Sequence, residues 1–234
     1  MKALKRTAQV ELLNFLSEFN LAEILKHQQL KDRIVRTFRF YYPLLLLENE
    51  LSVHPQWPQK SKVEQFQLYL REAISDICQA IVLTASGFYK PAQLTLRSGL
   101  ENWLRCLGLA EDQVVLTLKS VFELIELVKS IPAISDNKFA KEYFSTLRNR
   151  YALLCGFVHT SNASHMALTT VAGAYPRYLK TEAAETFSAI DEVCSRMVYL
   201  FCIIAPKTFR GLHHSHFDIV SDALPKKLKA GWTK

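Results

Sequence analysis

From Thr181 to Ile204 large apolar side chains return every three or four positions: Phe187, Ile190, Cys194, Met197, Phe201 and Ile204, with no glycine or proline among them. That is the period of an α-helix with one buried face; a half-buried strand would alternate every two residues. Two further runs behave the same way, one through Phe66, Leu70, Ala73, Ile77 and Ile81, the other through Leu96, Leu100, Trp103, Leu104 and Leu107. Only 7 glycines and 8 prolines stand in 234 residues, against 14 phenylalanines, 9 tyrosines and a hydrophobic share of 49%. Few breakers and many large apolar side chains predict an all-α fold, a compact helical bundle of six to eight helices around one core.

The boundaries follow from caps and breakers. Val10, Leu13, Leu16, Ile24 and Leu25 mark a helical N-terminal region, which Asn20 and Glu23 divide in the manner of a capping box. A second helix from about Leu30 carries Ile34, Phe38, Tyr41 and Leu45, with Pro43 expected to kink it. The clearest loop is His54–Lys60, after which Ser61 and Glu64 cap a third helix that ends at Gly87. Pro91 opens a fourth helix to about Leu109. Asp112 is expected to open a fifth with Val115, Leu118, Phe122, Ile125 and Val128 as its buried stripe, stopped by Pro132. Asp136 is expected to cap a sixth through Phe139, Tyr143, Leu147, Tyr151, Leu154 and Val158, and Thr181 to cap the last, which Pro206 ends. Residues 160–180 read as irregular or extended. The domain division is then one helical domain over 1–205, with its core in about 62–205, and a basic, partly ordered C-terminal tail over 206–234. The third, fourth, sixth and last helices carry the most regular stripes and are expected to form the central bundle.

No run reaches the roughly 18–20 apolar residues of a membrane span. No apolar segment follows the N-terminal Lys2, Lys5 and Arg6, so no signal peptide is expected. Cys78, Cys106, Cys155, Cys194 and Cys202 form no C-x-x-C pair and lie in apolar helical contexts. Free buried thiols in the cytoplasm are expected, with no zinc site, metal or other cofactor. The net charge of +7 is uneven. Residues 1–40 carry eight Lys and Arg against four Asp and Glu, residues 137–180 six against one, and the tail from Pro206 six against two. Such stretches either solubilise the surface or meet an anionic partner such as RNA or DNA.

The motifs of P-loop nucleotide hydrolases, dinucleotide-binding folds, serine hydrolases and HExxH zinc proteases are absent. Two other segments bear chemistry. In Ala92–Leu107, Arg97, Glu101 and Arg105 recur at i, i+4 on an otherwise apolar helix, with Ser98 and Asn102 alongside. They form either a solvated salt-bridge stripe or the polar wall of a site in which Glu101 orients an arginine. In Leu147–His165, Arg148, Arg150, Tyr151, His159 and His165 occur without an acidic residue. Arg148, Cys155 and His159 share a stripe on a continuous helix, but the rise from Arg148 to His159 is about 16 Å, too far for a dyad within one chain. Arg150 lies on the opposite face. His159 is either a helix-terminal histidine interacting with the dipole or a proton carrier. Arg97, Glu101, Tyr151 and His159 are expected to converge on one pocket between the fourth and sixth helices. His213, His214 and His216 read as a solvated turn rather than a metal site.

Together the two segments resemble a group of prokaryotic HEPN-like helical proteins, which also resemble the AbiV type of abortive-infection protein. The resemblance rests on Ala92, Arg97, Ser98, Leu100 and Glu101 in the first segment. In the second it rests on Tyr151, Leu154, Val158, His159, Thr160 and Ser161, and it spans about residues 65–200. It implies a homodimer and a part in toxin or anti-phage systems, alone or with a partner protein. In many members an Arg-x(4–6)-His motif cleaves RNA without a metal, histidine moving protons and arginine stabilising charge on the phosphate. On that reading His159, Arg150, Arg148 and Tyr151 are the catalytic candidates, and Arg97, Glu101, Arg105 and Asn102 support them. The spacing departs from the motif: Ala152, Leu153 and Leu154 stand where the arginine belongs. Two functions stay open, a metal-independent endoribonuclease acting as a toxin, and a non-catalytic dimerising subunit that binds nucleic acid or an effector protein.

Overall fold

The structure is a computed structural model that describes residues 2–17, 21–53, 63–159, 163, 166 and 175–230. The loop expected at His54–Lys60, the cap at Ser61, and Thr160, Ser161 and His165 lie outside the described residues. Among those described, every regular element is a helix. In order they are α1 (Lys2–Leu16), α2 (Gln28–Val53), α3 (Val63–Ala85), α4 (Tyr89–Glu111), α5 (Val121–Ser130), α6 (Pro132–Ser135), α7 (Lys138–His159), α8 (Lys180–Ile204), α9 (Pro206–Arg210), α10 (His214–Ala223) and α11 (Lys226–Ala230). Short 3-10 turns precede α2 and α5.

The five longest helices form the bundle. Helix α8 is its axis, and its Phe187, Ile190, Val193, Cys194, Met197, Leu200 and Phe201 are buried. Leu100 and Trp103 of α4 are fully buried, with Trp103 meeting Phe201 at a ring separation of 6.3 Å. The expected central set of α3, α4, α7 and α8 is therefore present, but α2 belongs with it. Its Leu30, Ile34, Leu44 and Leu47 are buried, and it lies parallel to α8, Thr37 and Tyr41 meeting Asp191 and Cys194. Helix α2 runs through Pro43 as one element. A core beginning near residue 62 is thus too short at its N-terminal side.

Local chemistry fixes the joints. Helix α3 ends where Gly87 takes φ +84° and the Phe88 N–H closes back on the Leu83 carbonyl at 2.8 Å, a left-handed cap that a Cβ would strain. The chain from Tyr175 to Leu179 is strapped over this turn. Tyr175 stacks on Phe88 at 4.0 Å, and the Leu179 N–H donates to the Tyr89 hydroxyl at 2.8 Å. Asn137 rather than Asp136 caps α7, its Oδ1 accepting the N–H groups of Phe139 and Ala140 at 2.9 and 3.1 Å.

Two expectations fail for identifiable reasons. Asp112 accepts the Val114 N–H at 2.9 Å and closes a 3-10 turn, so α5 begins only at Val121. The interruption resets the helical phase: Leu124, Ile125 and Val128 are buried, and Phe122 is left 72% exposed. The segment from Pro206 is not a loose tail over its described part. Three short helices run to Ala230, and Phe209, Leu212, Ile219, Val220 and Leu228 bury against the bundle. Charge counting hid this, because the lysines and arginines flank a spaced apolar pattern.

All five cysteines are free, with Cys106, Cys194 and Cys202 buried. Burial pushes these three thiols up. Among the described residues no helix is long and apolar enough to cross a membrane, and no group of three or more His, Cys, Asp or Glu is placed to hold a metal ion. His213 and His214 are exposed at the start of α10, with the His213 ring on the Ser215 hydroxyl at 2.9 Å.

Candidate functional site

Helices α4 and α7 pack antiparallel, and one polar network joins them. The i, i+4 spacing puts Arg97, Glu101 and Arg105 on the α4 face toward α7, and the same spacing puts Tyr151 and Cys155 opposite. Arg97 Nη2 donates to the Tyr151 hydroxyl at 2.6 Å, and Arg97 Nε to Cys155 Sγ at 3.3 Å. The Tyr151 hydroxyl donates in turn to Glu101 Oε2 at 3.3 Å. Arg105 Nη2 reaches Glu101 Oε1 at 3.3 Å, and its Nη1 faces the carbonyls of Val115 and Leu118 at 3.4 and 3.3 Å. The Arg97 guanidinium also lies over the Tyr151 ring, 5.0 Å from its centroid.

One carboxylate therefore stands between two arginines, all three largely shielded from solvent. Burial, then the Glu101 charge, pushes the Tyr151 phenol up, while Arg97 pulls the other way. The phenol is neutral at pH 7, accepting from arginine and donating to carboxylate. It acts as a hydrogen-bond relay and not as a base. The α4 stripe is a salt-bridge ladder largely shielded from solvent.

Not every expected member joins this network. Asn102 turns to α3 and donates to Asp76 Oδ2 at 3.1 Å. Arg150 points to α8, where Glu192 takes it as a two-pronged pair at 3.2 and 2.8 Å. Arg148 is exposed and makes no hydrogen bond or ion pair with a described residue. It stands between two recesses, one of about 290 Å³ against α5 and α6, the other of about 460 Å³ containing Phe122, Ile125 and Tyr151. His159 ends α7, exposed and without a hydrogen bond to a described residue. It lies eight residues, about 12 Å of rise, beyond Tyr151. Arg97, Glu101, Arg105 and Tyr151 are brought together; Arg148, Arg150, Asn102 and His159 face elsewhere.

A second polar surface was not legible in the motifs. Along the parallel pair α2 and α8, Arg36 pairs with Asp191 at 3.0 Å, and the buried Thr37 hydroxyl donates to the same carboxylate. Arg33, one turn earlier and half-buried, has no hydrogen bond or ion pair among the described residues. It borders two adjoining grooves. The first, about 350 Å³, is lined with Arg36 and Lys180, and the second, about 420 Å³, with Arg150 and Ser188. Asp32 and Glu185 are the carboxylates on the groove walls. The signal in the sequence was the Asp191–Glu192 pair set into the α8 apolar stripe, where two carboxylates need cationic partners from other elements.

No family model matches this chain, and no curated protein or solved structure matches it.

Proposed function

We propose that this chain is a HEPN-like helical module that binds nucleic acid through the basic face of α2, α7 and α8. The observation that supports this most is Arg33. Two of the three basic stretches in the sequence, 1–40 and 137–180, meet around it, and its guanidinium makes no hydrogen bond or ion pair among the described residues where it borders both grooves. Arg36 and Arg150 line the same grooves and are fixed by ion pairs to Asp191 and Glu192, each keeping guanidinium N–H groups free for a phosphate oxygen. The described residues of the groove walls include no aromatic ring on which a base stacks, which favours contacts to phosphates, independent of sequence. RNA is the ligand we favour, in the cytoplasm, with a role in anti-phage defence as the family resemblance implies. The test is anisotropy of a fluorescent single-stranded RNA across salt concentrations. With three or four phosphates neutralised, log affinity falls with log salt at a slope of about −2 to −3. Arg33→Glu with Lys180→Glu weakens binding at least about tenfold; unchanged affinity in the folded double variant refutes the basic face.

The endoribonuclease reading is retained for one reason. His159 is exposed at the end of α7, and the same helix leaves Leu153 and Val158 58% and 44% exposed. A homodimer that covers them brings His159 of one protomer toward arginines of the other, and metal-free cleavage needs that meeting. Expression in a bacterium of wild type and His159→Ala, scored for growth and RNA integrity, separates the two readings. Growth arrest and RNA loss only with His159 present establish the enzyme; no difference leaves the binding module.

A further inference from the structure

The smaller recess beside Arg148 is a different kind of place from the α2–α8 grooves. It is a wedge of about 290 Å³ between α5, α6 and α7. Its floor is Ile134 and Phe144, which are 1% and 3% exposed. Its rim is cationic. Lys141 and Arg148 stand two turns apart on α7, on the same face, with Phe144 and Ser145 between them. Lys129 of α5 stands across the wedge.

Two of the three cations at this rim are unpaired among the described residues. Lys129 is taken by Glu126 on its own helix at 2.9 Å. The Ser135 hydroxyl is turned to Asp136 at 2.9 Å. Lys141 and Arg148 have no hydrogen bond or ion pair with a described residue. Two cations without a partner among the described residues over an apolar floor is the pattern of a site for an anion with an apolar body: the floor gains from covering, and the head group neutralises the rim. The volume equals about ten waters at their liquid share. That accommodates an aromatic ring or a short alkyl chain with one anionic group, and is too small for a folded partner.

We infer that the wedge between α5, α6 and α7 binds a small amphiphilic anion, with the apolar body on Ile134 and Phe144 and a carboxylate or phosphate head held by Lys141 and Arg148. The site is independent of the nucleic-acid face, because Arg148 and Arg150 lie on opposite sides of α7 and the two sites share no lining residue.

Calorimetric titration of the full chain with octanoate and with phenyl phosphate tests this, with 1-octanol as the uncharged control. Saturable binding of one equivalent of either anion is expected, and which of the two binds tighter assigns the head group. Lys141→Glu with Arg148→Glu weakens that binding at least about tenfold. Phe144 is core and its removal unfolds the wedge, so the floor is probed from the rim instead. Ser145→Trp, at an exposed position, fills the recess and abolishes binding while circular dichroism stays helical. The inference is overturned if neither anion binds at millimolar concentration, if octanol binds as well as octanoate, or if the folded charge-reversal variant binds like wild type.

Discussion

Replacing Tyr151 with phenylalanine removes one oxygen and two hydrogen bonds, those from Arg97 and to Glu101. The two charged groups keep a looser contact at 3.7 Å, so the loss is about 1–2 kcal/mol in urea unfolding. Glu101→Ala is worse, about 2 kcal/mol or more, because it leaves two shielded arginines with no carboxylate between them. If Tyr151→Phe costs more than Glu101→Ala, the carboxylate is not the centre of the network. At Gly87 the reasoning is steric. An added Cβ meets the Arg177 carbonyl, and φ is +84°. Gly87→Ala therefore destabilises by about 2 kcal/mol and loosens the Tyr175–Leu179 strap, seen as faster amide exchange at Leu179. The network itself was half legible in the sequence. The i, i+4 ladder on α4 and Tyr151 announced themselves as polar groups on apolar stripes. Cys155 was on the stripe, but its bond to Arg97 depends on the antiparallel register of two helices that are far apart in sequence, which periodicity does not fix.

At the scale of elements, α2 and α8 are tied by Asp191. Burial pushes its carboxyl up against the opposing pull of Thr37, Arg36 and Arg33. A folded-state pKa above the unfolded value means stability that is present at low pH and lost as pH rises through the folded pKa. Asp191→Asn, a neutral isostere, is the reference. The expected result is that the variant gains stability relative to wild type at pH 7, and that the gap narrows as pH falls toward the ordinary aspartate value of about 3.9. A gap that widens on acidification refutes the burial argument, since it would mean that ionised Asp191 stabilises the pair. The helices that the sequence placed best are the long ones with unbroken stripes, α3, α4, α7 and α8. It failed at α5, where a single side-chain bond from Asp112 shifts the phase and turns Phe122 outward. It also failed after Pro206, where short helices draw their stability from the bundle rather than from their own length.

For the whole molecule, the exposed apolar side chains Leu153 and Val158 of α7 bear on assembly. Light scattering at micromolar concentration is expected to give a mass near twice 26.8 kDa, and Leu153→Asp to halve it. A monomer across that range argues against both the dimer and a two-chain active site. Removing residues 206–234 uncovers the surface that Phe209, Leu212, Ile219 and Val220 bury, and the shortened chain is expected to melt several degrees lower.

The parallel pairing of α2 with α8 also sets a clock for synthesis. Thr37 and Asp191 are 154 residues apart in the chain. At about 5–20 residues per second, the ribosome delivers the partner of α2 roughly 8–30 s after α2 itself. For that interval the face of α2 that meets α8 lacks its cover, and its apolar side chains stay open to other contacts. The nascent chain is thus a client for whatever shields sticky surfaces in its host. A chain stalled just before Lys180 should bind such a chaperone, and one released after Ile204 should let it go.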